Sequence, residues 1–143
     1  MKIIEERFLK YVSFPTMSDE ECESCPSTSK QLALGKYLAE ELLAIGVADA
    51  RMDENGYVYA SIPATAEGFD SVGFIAHLDT SDAMPDHPIK ATVIEYGGGD
   101  ILLNEEKGIV MKADAFPALK GLVGHRLVVT DGTTLLGADD KAG

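Results

Sequence analysis

Basic residues are scarce in this chain. Lysine and arginine together number 12, against 24 aspartates and glutamates, giving a formal charge of -12 over 143 residues. Nucleic acids and acidic membrane surfaces are bound through basic patches, so this imbalance argues against both as partners. Long apolar runs are missing as well: no stretch approaches the roughly 18 residues that a membrane span needs. Glu5 and Glu6 stand where a signal peptide would have its apolar core. A cytoplasmic location with no membrane partner is the expectation. There is no internal repeat and no low-complexity tract.

Cysteine is nearly absent too. The two present, Cys22 and Cys25, form a C-x-x-C pair, which is either a redox dithiol or half of a zinc site. No second pair exists to complete a four-cysteine site. The flanks, Ser18 to Glu21 and Pro26 to Thr28, read as a polar loop rather than part of a βαβ unit. Neighbouring carboxylates raise a thiol pKa, whereas a reactive cysteine needs it lowered. Two ordinary loop thiols are expected.

What is present suffices for about one domain with a sizeable core, since hydrophobic residues make up 45% of the chain. Ile4, Phe8, Tyr11 and Val12 recur at helical spacing, predicting an amphipathic helix over about residues 2–13 that ends at Phe14-Pro15. Thr28 and Gln31 have capping-box spacing, and Leu34, Leu38, Leu42 and Ile45 then mark the clearest helix, with Gly46 as its terminator. Segments 50–52 and 57–62 flank Asp53-Glu-Asn-Gly56, a hairpin signal. A strand is expected over 89–96, broken by Gly97-Gly-Gly99, which reads as a flexible turn rather than an anion site. Residues 101–111 are ambiguous, and 116–120 read as a short helical turn. Segments 126–130 and 133–136 are expected to pair as strands around Asp131-Gly132. The mixture predicts an α/β fold with a mixed β-sheet flanked by helices.

Two stretches carry chemistry. Val72 to Ala76 is uncharged, as a strand buried on both faces would be, and it leads into His77-Leu78-Asp79. In an extended chain the His77 and Asp79 side chains point the same way. A neutral imidazole is a good zinc ligand, and its second ring nitrogen is usually held by a carboxylate or carbonyl. The bland alternative is a surface strand end. Near the other end, Asp139 and Asp140 follow an apolar run. A carboxylate can bridge two divalent cations, although an acidic turn needs no metal. His87 and His125 lack partners at metal spacing and read as loop and structural residues, while Asp82 and Asp86 read as solvated loop acids.

Taken together, four stretches are recognisable: Pro26-Ser-Thr-Ser-Lys-Gln31, Gly73-Phe-Ile-Ala-His-Leu-Asp-Thr-Ser81, Gly97-Gly-Gly-Asp-Ile101 and Thr130 through Gly143. In this order they resemble the M20 metallopeptidase family, in particular its tripeptide aminopeptidases. The resemblance implies a zinc-peptidase-like catalytic domain holding two zinc ions. Residues 1–143 would be its N-terminal portion, with the lid domain and the rest of the catalytic domain absent. It implies that His77 ligates one zinc, that Asp79 is the catalytic acid orienting that imidazole, and that Asp139 bridges the metals, joined to Asp140 by a cis peptide.

The family's glutamate pair, one of them the general base, and its later ligands would lie beyond Gly143. Only two ligands then remain, where a catalytic zinc normally has three protein ligands and water. The chain alone is expected to be inactive, to bind zinc weakly at best, and to associate with another copy through surface left uncovered. Small peptides are the expected substrates. A dipeptidase or N-acyl-amino-acid deacylase of the same family is the alternative, and a non-catalytic interaction module is a third reading.

Overall fold

The computed structural model describes residues 2–139, 141 and 142. Helix α1 (Lys2–Val12) and helix α2 (Lys30–Ala44) form the first half. They meet through aromatic rings: Tyr37 lies edge-on to Tyr11 at 6.1 Å and tilted against Phe14 at 5.4 Å. Tyr11 hydroxyl donates to the Glu41 carboxylate, which also pairs with Arg7 at 3.3 Å. Burial and that carboxylate push the Tyr11 hydroxyl up to about 12. Val12 and Leu34 are fully buried, whereas Ile4, on the expected apolar face of α1, is exposed.

Helix α2 ends as its glycine predicts. Gly46 has φ +100, and the amides of Gly46 and Val47 donate to the carbonyls of Leu43 and Leu42 at 3.1 and 3.0 Å. That pattern satisfies two otherwise orphaned carbonyls. The start of α2 differs from expectation. Ser29, not Thr28, is the N-cap residue, and no side chain caps the helix. Thr28 Oγ1 donates instead to the Met17 carbonyl at 2.7 Å, and Gln31 Nε2 is turned toward Ser27 Oγ. A tertiary partner has taken the hydroxyl that a local cap would have used.

The expected hairpin forms between β1 (Arg51–Met52) and β2 (Val58–Tyr59), with Arg51 opposite Tyr59. Asp53 Oδ1 accepts the amides of Asn55 and Tyr57, which tightens the turn. The second half holds β3 (Thr92–Glu95), β4 (Ile101–Asn104), β5 (Ile109–Met111), a 3-10 turn (Pro117–Leu122) and β6 (Arg126–Val129). Tyr96, Ile101 and Leu119 are its buried cluster, with Ile94, Leu103, Met111 and Leu127 packed around them. Glu5 of α1 receives a two-pronged hydrogen bond from Arg126 of β6, one arm at 2.9 Å, which ties the halves together.

The α/β composition holds, but the mixed sheet does not. Among the described residues the strands form three two-stranded antiparallel pairs, β1 with β2, β3 with β6 and β4 with β5. The single parallel contact is an isolated bridge between Met17 and Thr80. Residues 126–129 pair with β3 rather than with 133–136, so Asp131-Gly132 is a turn outside any hairpin. Thr130 Oγ1 takes the Gly132 amide, and Asp131 takes the Thr133 amide and hydroxyl.

The largest correction concerns 72–76. It is not a strand, and Phe74 and Ile75 are 95% and 99% exposed. Apolar patterning states what a segment is suited to contact. It does not supply the neighbouring strands and helices that would cover it.

Candidate metal centre

His77 and Asp79 lie where the exposed run reaches fixed structure. Thr80, the next residue, is buried: its amide donates to the Thr16 carbonyl at 3.1 Å, and its carbonyl accepts the Ser18 amide at 2.9 Å. That anchor sets the backbone just after the pair. His77 Nδ1 lies 2.8 Å from the Asp79 carbonyl oxygen and 3.2 Å from Asp79 Oδ1. An N–H on Nδ1 donates to these oxygens, which leaves the lone pair on Nε2.

That second nitrogen is 3.8 Å from Asp139 Oδ2, although the residues are 139 − 77 = 62 positions apart. Gly137 allows the approach. It sits at φ +66, and a β-carbon there would fall 3.3 Å from Thr80 Cγ2 and 3.4 Å from Lys141 Nζ. A side chain would therefore press the Asp139 turn away from Thr80. Asp140, with its expected cis peptide, lies outside the described residues.

The pair is compatible with a metal in spacing and in donor type. At a tetrahedral angle, bonds of about 2.0–2.1 Å hold two donor atoms about 3.4 Å apart, so this pair, 3.8 Å apart, would close slightly around one cation. Among the described residues no group of three His, Cys, Asp or Glu is assembled around it. The described residues thus supply two donors. His77 and Asp79 are about half exposed and Asp139 almost wholly so, so bulk water screens their charges.

An open cleft of about 580 Å³ leads to this point. Tyr57, Tyr59, Phe74, Ile75, His77 and Asp79 are among the residues that line it. That size and apolar character suit a small organic ligand held by a few polar groups. Cys25 also borders it, with its thiol 3.9 Å from the Tyr57 hydroxyl, and both cysteines are free thiols. His87 and His125 are exposed.

Two further polar residues belong to the surroundings of the centre, and no local sequence pattern marks either. Asp86 is not a solvated loop acid: it is 4% exposed. Burial pushes its carboxyl up, but the Met17 amide and the Lys30 ammonium outweigh this and hold it below the usual range. Lys141 is half-buried and donates to the Phe14 carbonyl at 3.2 Å; burial lowers its ammonium to about 8, against the opposing pull of Asp86. A loop acid between Pro85 and Pro88 gives no local signal of burial, because its partners are 56 and 69 residues away.

No protein-family model matches the chain. Among curated proteins its relatives are peptidases. They include peptidase T from Alkaliphilus oremlandii, 52% identical across the whole chain, from Caldanaerobacter subterraneus subsp. tengcongensis, 50% identical across the whole chain, and from Bacillus subtilis, 49% identical over 98% of it. The chain is a relative of peptidase T along its entire length. It spans about 36% of the length of the first two proteins and 35% of the third.

Proposed function

We propose that this chain carries part of the metal centre of an M20-family aminopeptidase that releases the N-terminal residue of tripeptides. The observation that carries the reading is the approach of His77 Nε2 to Asp139 Oδ2 across 62 residues, in a chain about half identical to peptidase T. On this reading His77 and Asp139 would hold zinc, Asp139 as the carboxylate able to serve two ions. Asp79 fixes the imidazole tautomer through Nδ1 and raises its basicity as a ligand. The chemistry that zinc would supply there is Lewis-acid polarisation of the scissile carbonyl and activation of water. The open cleft beside Tyr57 and Phe74 receives the peptide.

The remaining ligands and the general base come from outside these 143 residues, as does a lid domain. The chain corresponds to the first portion of the catalytic domain and is inactive by itself. The acidic balance favours neither nucleic acid nor an anionic membrane. Among the described residues no helix is long and apolar enough to cross a membrane. We place the protein in the cytoplasm, with self-association through the uncovered apolar run.

The test is hydrolysis by the full polypeptide that carries this sequence, with zinc added, on tripeptides, dipeptides and N-acylated amino acids. Release of a free N-terminal residue from tripeptides, lost in His77→Ala, is the expected result. Preference for dipeptides or acylated amino acids would move the assignment within the family. No metal-dependent hydrolysis of any substrate would reduce the chain to an interaction module.

A further inference from the structure

A buried carboxylate is costly unless it is paired and hydrogen-bonded. Asp86 has both kinds of partner. Its Oδ2 accepts the Met17 amide at 2.9 Å, and its Oδ1 meets Lys30 Nζ at 3.2 Å. Met17 is the middle of a short segment on which both halves of the candidate centre hang. On one side, Thr16 and Ser18 hold Thr80 through the hydrogen bonds already described, with Ser18 Oγ adding a third at 3.0 Å. On the other, the Phe14 carbonyl accepts Lys141 Nζ, two residues past Asp139. The loop carrying Asp86 also grips the approach to Asp139, because the Pro85 carbonyl accepts the Leu135 amide at 3.0 Å.

Asp139 is mostly exposed and His77 about half, and their facing atoms are 3.8 Å apart. Their separation is therefore set by what holds the backbones behind them. Segment 14–18 is that shared support. Asp86 is the buried side chain that fixes its centre, and Lys30 neutralises Asp86 from the start of α2.

We propose that Asp86 is a positioning residue of the candidate metal centre: by holding the Met17 amide it sets where Thr80, and with it His77 and Asp79, stands relative to Asp139. The proposal rests on the metal-centre reading. Asp86 touches neither metal nor substrate in this role. Asparagine at this position keeps an acceptor for the Met17 amide but loses the charge that meets Lys30, whereas alanine loses both.

The experiment compares the full polypeptide with its Asp86→Asn, Asp86→Ala, Lys30→Met and His77→Ala variants. Zn²⁺ affinity is measured by competition with a chromophoric chelator, the visible spectrum of bound Co²⁺ is recorded, and amide hydrogen exchange is followed at Ser18 and Thr80. Zn²⁺ affinity is expected to fall about 10- to 100-fold in Asp86→Ala, the range for losing an outer support of a metal ligand, with a smaller fall in Asp86→Asn and Lys30→Met. The Co²⁺ spectrum should shift in Asp86→Asn, and Ser18 and Thr80 should exchange faster while β3 and β6 are unchanged.

A merely structural role would raise exchange throughout the chain and leave the Co²⁺ spectrum of the folded fraction as in wild type, which would overturn the proposal. Wild-type affinity in Asp86→Ala, with binding lost in His77→Ala, would overturn it while sparing the metal-centre reading. Should Asp86→Ala fail to fold, the Asn and Met variants decide by the same spectrum and exchange. Equal Zn²⁺ binding by wild type and His77→Ala would sink the metal-centre reading itself, and this role with it.

Discussion

Phe74 and Ile75 are almost fully exposed, while Thr80 and Asp86, a few residues further on, are 6% and 4% exposed. Hydrophobicity alone predicts the reverse order. The difference lies in partners. Thr80 is bonded on both its amide and its carbonyl to Thr16 and Ser18, and Asp86 is met by Met17 and Lys30. The apolar run has no strand beside it among the described residues. Burial here follows whichever backbone network reaches a segment. The candidate centre sits at the border between the two regimes: its histidine follows the uncovered run, and its carboxylate turn reaches the buried support.

The largest effect that sharpens this contrast is expected at Leu34, which is fully buried. Leu34→Ala should cost the 143-residue chain roughly 2–5 kcal/mol, the range for emptying a well-packed leucine site, as read by denaturant unfolding. Next comes Asp79→Asn in the full polypeptide. The amide holds imidazole less well than a carboxylate does, and peptidase turnover should fall about 10- to 100-fold with the fold intact by circular dichroism. Near-normal turnover would remove Asp79 from the centre.

Acid should then weaken the structure. Hydrogen bonds from Thr133, helped by Lys90, hold the Asp131 carboxyl down at about 2 against an ordinary 3.8. A depressed carboxylate stabilises the fold above its unfolded pKa, and that contribution is lost as pH falls from about 4 toward 2. Asp86 is shifted the same way and adds to the loss. Unfolding midpoints measured across that window should decline, and the decline should be shallower in Thr133→Ala.

The smallest effects belong to the uncovered side. Ile75→Ala should change the stability of this chain by no more than about 0.5 kcal/mol. A loss as large as that of Leu34→Ala would mean that the run is buried in solution, and the contrast would collapse. Replacing Cys22 and Cys25 with serine should leave bound zinc and turnover of the full polypeptide unchanged; loss of a stoichiometric zinc would make the thiols ligands.

Local features were the legible part of the sequence. The end of α2 was readable because Gly46 supplies the positive φ that its terminating hydrogen bonds require. The 53–56 turn was readable because Asp53 bonds to its own neighbours. What failed depended on distant partners. Thr28 has capping chemistry but spends its hydroxyl on Met17, and 126–129 has strand chemistry but pairs with β3 rather than with the segment after its turn. His77, Asp79 and Asp139 were nominated by residue type and motif. That His77 and Asp139 come within 3.8 Å, and that Asp86 lies behind them, is information held in tertiary contacts.

In the proposed centre His77 and Asp139 act on one ion. Zn²⁺ titration of the full polypeptide as a double-mutant cycle tests it most directly, using His77→Ala, Asp139→Ala and the pair. Ligands of a shared metal are coupled, so each single variant should lose most of the affinity for that ion, and the double variant should lose much less than the sum of the two losses. Wild-type affinity in Asp139→Ala, or losses that add in full, would contradict it.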